Sequence, residues 1–270
     1  MITTPLKFDE AIEQLEDRAL LPTWMSSDDL SELSVMVRHR SFFSARVTNA
    51  GFLEKTKKLI DSIVTPRRAE DGATIGHSRT TARAELKDHL EKIKYQPDPK
   101  KRGTIQDLGS DQRLNLILET NADMARGFGQ WKQGQDPTLL AIYPARELFR
   151  GETRKEPRNW EARWAAAGGE TYGGRMIAPT NSDIWSKISR FGTPFPPFDF
   201  NSGMDTLDVS RSEALRLGVV KKTDPPQTPH PGDFNIKDAK TSATGGLKDA
   251  LSDSLGDGVD IDEEGGVRVL

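Results

Sequence analysis

The sequence predicts an α+β fold: a helical N-terminal part, a small mixed α/β C-terminal part and an extended acidic tail. Three observations predict it. Apolar residues recur at spacings of three and four through the first 65 residues and again after Ser110, the period of amphipathic helices. Beyond Pro137 the pattern passes to short β-forming runs set among Gly, Pro and aromatic residues. After residue 220 the chain becomes Pro-rich and then Gly-, Ser- and Asp-rich, with Phe234 its last aromatic residue.

These shifts divide the chain into a helical region at 1–65, a basic polar segment at 66–110, a core at 111–220, and a Pro-rich linker with a flexible acidic tail at 221–270. In the first, Phe8, Ile12, Leu15 and Ala19 mark a helix closed by Pro22. Ser26 and Asp29 form a capping box for a second helix, along which Leu30, Leu33, Val37 and Phe42 follow one face. Phe52, Leu53, Thr56, Leu59, Ile60 and Ile63 place a third helix at 50–64, before Pro66.

The 66–110 segment is broken by Gly and Pro, with one helix near 78–95. Arg67, Arg68, Arg79, Arg83, Lys87, Lys100, Lys101 and Arg102 make it basic. Such a run is either a solvated face or a contact for DNA phosphates or an acidic neighbour. Ser110 then caps the strongest helix, whose buried side is lined by Leu114, Ile117, Leu118, Ala125, Phe128 and Trp131. Asn121 interrupts that stripe, as a hydrogen-bonded core amide or as the edge of the apolar face.

Residues 139–154 read as one or two short strands, and Glu156-Pro157 as the opening of a short helix carrying Trp160 and Trp164. The stretch from Gly173 to Met204 reads as ordered but irregular, and Ser210, Glu213 and Gly218 bound a last helix.

Composition restricts function. The net charge is −3 and the pI about 5.9, so the chain as a whole lacks the positive excess of a nucleic-acid binder and any DNA contact must be local. Without cysteine there is no thiolate chemistry, and the composition fits a reducing compartment. The acidic N-terminus resembles neither a secretory signal nor a membrane anchor, and no later segment is long and apolar enough to span a bilayer.

The search for chemistry finds no phosphate-binding loop, dinucleotide fingerprint or serine-hydrolase elbow. His39, His77, His89 and His230 are scattered and read as surface histidines, and no metal, cofactor or small-molecule substrate is indicated. The acids Asp257, Asp260, Asp262 and Glu263 lack the spacing of a calcium loop. Glu147, Glu152, Asp183 and Asp199 could supply a general acid and base, which leaves a carboxylate-dependent hydrolase as one rival reading. A DNA-binding module built on residues 67–102 is the other.

The order of segments resembles the phage Mu F-like minor head proteins, also called head morphogenesis proteins. The likeness lies in AIEQLEDRALLPTWMSSDDL and HRSFFSARVTNAGFLEKTKKLIDSIV, in RLNLILETNADMARGFGQW, and downstream in residues 143–158, 183–185 and Pro196-Pro197. It covers residues 8–65 and 111–218, so 66–110 looks like an insertion. The chain departs from the family where PPFDFNSGM replaces a Cys-containing loop, and where Asn159 and Trp160 follow Pro157-Arg158 in place of histidines. The resemblance implies a structural role in capsid assembly near the portal, with portal, other head proteins and scaffold as partners and packaged DNA as a further candidate. It also implies residence in the host bacterial cytoplasm during assembly and then in the virion head. No catalytic residues are implied. The residues expected to matter are structural: Asn121, Phe128, Trp131, Trp160, Trp164, Trp185, Pro196, Pro197 and Phe198.

Overall fold

The computed structural model describes residues 9–16, 18–65, 67–68 and 74–231, and the backbone of two strands at 259–261 and 267–269. The fold is α+β. The chain separates into two compact units, one running to Ala125 and the other beginning at Arg126, so the division falls inside a helix rather than at residue 110.

The first unit is helical. Helix α1 (Asp9–Glu16) is shorter than expected, because Ala19 belongs to strand β1 (Ala19–Leu20), which pairs in parallel with β2 (Ser41–Phe42). The expected second helix is two, α2 (Ser27–Ser31) and α3 (Val35–Arg40). The Ser26–Asp29 capping box forms, and the division arises because the Ser34 hydroxyl accepts Val37 N–H and starts a new helix. Phe42 lies in β2, beyond the helical face assigned to it.

Helix α4 (Ala50–Val64) has the expected bounds. The Asn49 side chain caps it, and Phe52, Leu53, Thr56, Leu59 and Ile60 are buried. Thr56 is tolerated among them because its hydroxyl donates to the Phe52 carbonyl at 2.7 Å. After β3 (Arg67–Arg68) and β4 (Thr74–Ile75), α5 (Arg79–Lys92) contributes Ala82, Leu86 and Leu90 to the core that holds Phe52, Leu59 and Leu118. Residues 78–95 are therefore part of the first unit's body. The loop behind them is closed by the buried Asp107 carboxylate, which accepts from the N–H groups of Gly103 and Gly109, each at 2.8 Å.

Helix α6 (Asp111–Gln133) starts at Ser110, whose hydroxyl accepts from Arg113 N–H. In the first unit it buries Leu114, Leu118, Ala122 and Ala125. The second unit contains its last turns, then α7 (Pro137–Ile142) and β5 (Ala145–Arg150). Helix α7 corrects the expectation of strand there. The Asp136 carboxylate caps the N–H groups of Thr138 and Leu139, and Pro137 sits in the first turn, where its missing N–H is no loss.

Helix α8 (Trp160–Ala166) opens at Asn159 rather than Glu156-Pro157. Next come β6 (Thr171–Tyr172), β7 (Arg175–Pro179), α9 (Ile184–Ile188), β8 (Met204–Val209) and α10 (Arg211–Leu217). The stretch expected to be irregular thus holds a strand and a helix, and it ends on a further strand. The sheet is antiparallel in the order β6-β7-β5-β8. Helix α10 ends at Gly218, where φ of +80° suits a residue without Cβ.

The body continues past residue 220. Residues 225–231, neither helix nor strand, pack within the second unit, with Gln227 bonded to Asn181 and Pro144 and with His230 against Trp131. Of the expected tail, β9 (Val259–Ile261) and β10 (Val267–Val269) form an antiparallel pair. The expectation of a flexible acidic tail, with Asp257, Asp262 and Glu263, lies outside the described residues.

Candidate functional site

The basic stripe has an assigned partner. Arg79, Arg83 and Lys87 stand four residues apart on α5, and Glu119, Asn115 and Asp111 stand four apart on α6, so each set lines one helix face. Arg79 pairs with Glu119 at 3.5 Å, Arg83 donates to Asn115 Oδ1 at 3.1 Å, and Lys87 pairs with Asp111 at 2.6 Å. Lys87 foremost, with Arg83 also 3.5 Å away, holds the Asp111 carboxyl below its usual range. Arg83 is half-buried in this ladder, and Arg79 at its edge stays exposed. Lys100 and Arg102 are exposed on the Asp107 loop, with Lys101 beside Asp98. The strand of Arg67 and Arg68 is described, but their side chains are not.

Of the four acids expected near the aromatic segment, three are bound by arginines. Glu147 binds Arg175, which also binds Glu213 of α10. Glu152 binds Arg154, and buried Asp199 accepts from Arg163 at 2.8 Å. Asp183 precedes α9 without a side-chain capping bond. Glu147, Glu152 and Asp199 are thus each paired with an arginine, Glu147 through one it shares with Glu213.

One polar constellation was missed. Ser62 Oγ lies 2.8 Å from His77 Nδ1, and Glu85 Oε1 lies 2.6 Å from Nε2, while Lys55 binds the other Glu85 oxygen. Lys55 above all holds the Glu85 carboxyl below its usual range, so it accepts from Nε2–H. The order of groups is that of a nucleophile, a base and an orienting acid. Two details give it a staple's geometry. The His77 backbone N–H also donates to Ser62 Oγ, at 3.2 Å, and Glu85 is shared with Lys55, so the cluster ties the start of α5 to α4. Its sequence signal was faint because Ser62 and His77 lie in different segments, fifteen residues apart.

The aromatic residues form the second unit's interior. Trp164 packs edge-on against Trp185 at 5.4 Å, Trp185 stacks with Phe198 at 6.1 Å, and Trp160 meets Phe198 edge-on at 6.5 Å. Phe128 and Trp131 both pack on Phe195 at 5.8 Å. The cis Pro196–Pro197 loop, half-buried, lies against Gly127, where a Cβ would come within 1.9 Å of the Pro196 carbonyl oxygen. Arg146, unanticipated, is buried on β5 over the Trp185 ring and donates to Thr180 O at 2.7 Å. Burial pushes its guanidinium down to about 10.

Asn121 combines both readings offered for it. It is half-buried, its Oδ1 accepts from Arg18 at 3.1 Å and its Nδ2 donates to Ile117 O at 2.9 Å. Among the described residues no group of three or more His, Asp or Glu could hold a metal, and no helix is long and apolar enough to cross a membrane. The chain matches no family model, no curated protein and no solved structure.

Proposed function

We propose that the chain is a minor structural protein of a tailed phage or prophage head, acting in capsid morphogenesis near the portal. One observation supports this reading: separate blocks that resemble the head morphogenesis family meet inside each unit. Arg18 of the first block bonds Asn121 of the central block, and Gly127 of the central block receives Pro196 of the double-proline block. An assembly component needs rigid units and outward contacts, and its internal charges can be spent on structure. The α5–α6 ladder and the arginine-bound acids fit that description.

The partners on this reading are the portal and other head or scaffold proteins. The candidate contacts for packaged DNA are Arg67, Arg68, Arg79, Arg83, Lys100, Lys101 and Arg102, of which Arg79, Lys100 and Arg102 are exposed. The test is co-expression with portal and scaffold proteins encoded in the same genome, followed by purification of assembled heads. The chain is expected in the heads at low copy and in a complex with portal. Heads that form normally without it and never contain it would overturn the proposal. A DNA-binding module would instead show steeply salt-dependent binding by the full chain, lost on removing Lys100, Lys101 and Arg102 together.

A further inference from the structure

Residues 225–231, PPQTPHP, lie along the second unit with only Gln227 and His230 turned inward, and the other five are exposed. An inward residue every third position is the period of a polyproline II helix, which has three residues per turn and no internal hydrogen bonds. The contacts are specific. Gln227 Oε1 accepts from Asn181 N–H at 2.9 Å and its Nε2 donates to Pro144 O, so one amide reads a backbone donor and a backbone acceptor. Asn181 Nδ2 donates to Thr228 O at 2.8 Å. His230 N–H donates to Gln135 Oε1 at 2.8 Å, and its ring meets Trp131 edge-on at 5.2 Å.

This combination of an aromatic wall and side-chain amides aimed at the main chain is how extended Pro-rich peptides are read. The segment also leaves the groove's polar capacity partly unused, because Gln135 Nε2 and Asn181 Oδ1 are buried with no partner among the described residues.

We propose that this surface is a recognition groove for an extended Pro-rich peptide with Gln and His three residues apart. The chain's own residues 225–231 fill it in cis, and the same segment of a second copy fills it in trans. Cis filling prevails in dilute solution, because a short tether gives an effective concentration on the order of millimolar. Trans filling takes over where copies are packed at comparable local concentration, since the identical contacts are then offered by a neighbour.

The test uses the full chain carrying Gln227→Ala and His230→Ala together, and a labelled peptide of residues 224–231 followed by fluorescence anisotropy. The doubly substituted chain is expected to bind the peptide at least tenfold more tightly than the unsubstituted chain, and a peptide with the same two replacements should bind neither. Absence of binding, or equal binding of both peptides, would overturn the groove. Mixing that variant with a chain carrying Gln135→Ala and Asn181→Ala should give a heterodimer in sedimentation. A mixture that stays monomeric rejects the trans occupant. In the unsubstituted chain, amide exchange at Asn181 and His230 should be at least tenfold slower than at Thr228. Equal rates would refute the cis contact.

Discussion

Arg18 donates from Nη1 to the Asn121 side-chain oxygen at 3.1 Å, tying the turn after α1 to the middle of α6. Arg18 is buried, its second terminal nitrogen reaches the Arg38 carbonyl, and its guanidinium lies over the Phe42 ring. Burial pushes its pKa down to about 10, so desolvation already works against the charge and each remaining acceptor counts.

Replacing Asn121 by Leu removes that acceptor and leaves a buried cation short of a partner. The expected loss is about 2–3 kcal/mol in urea unfolding. Adding Arg18→Met should recover part of it, because the charge whose burial was unfavourable is gone as well. A loss under about 0.5 kcal/mol for Asn121→Leu would show that the pair does not matter.

Gly127→Ala tests the seat of the double-proline loop. The new methyl would overlap the Pro196 carbonyl, which is backbone and cannot rotate aside. Overpacking of this kind costs about 1–3 kcal/mol, and the second unit should show it as an earlier unfolding transition with altered Trp131 fluorescence. An unchanged transition would mean that the loop shifts freely.

Trp185→Ala removes a fully buried ring that contacts Trp164, Phe198 and the Arg146 guanidinium. Truncation should cost roughly 3–5 kcal/mol. A melting temperature within one degree of the unsubstituted chain would contradict a core role.

The sequence carried the periodic elements well and the composite ones poorly. Helix α4 was legible to the residue because a side-chain cap, a continuous stripe and a following proline agree there. The α3 start was lost because Ser34 interrupts a stripe that otherwise continues, and capping outweighs periodicity over so few residues. Helix α7 was lost because PTLLAI has a β-former's look, while Asp136 and Pro137 hold the deciding signal. At the site, the aromatic residues were legible since large apolar side chains seldom find another use. The α5–α6 ladder was readable in principle from two matched runs at spacing four. The Ser62–His77–Glu85 staple and the Gln227–His230 strap were not, because each joins residues that meet only after the chain has folded.

His39 gives the fold a pH dependence. Burial, then the charges of Arg18 and Arg40, push its imidazole from the ordinary 6.5 down to about 3. The folded chain therefore keeps His39 neutral where the unfolded chain takes up a proton. Between about 6.5 and about 3 the unfolded state binds more protons, so stability falls as pH falls through that window and is fully present above it. The slope approaches about 1.4 kcal/mol per pH unit, giving at most about 2 kcal/mol between pH 7 and pH 5. Asp29 and Glu85, whose carboxyls are held below their ordinary values, add losses only at lower pH. Urea unfolding at pH 7 and pH 5 isolates the histidine: the unsubstituted chain should lose stability across that interval, and His39→Gln should flatten the difference. A variant that loses as much as the parent would place the acid sensitivity elsewhere.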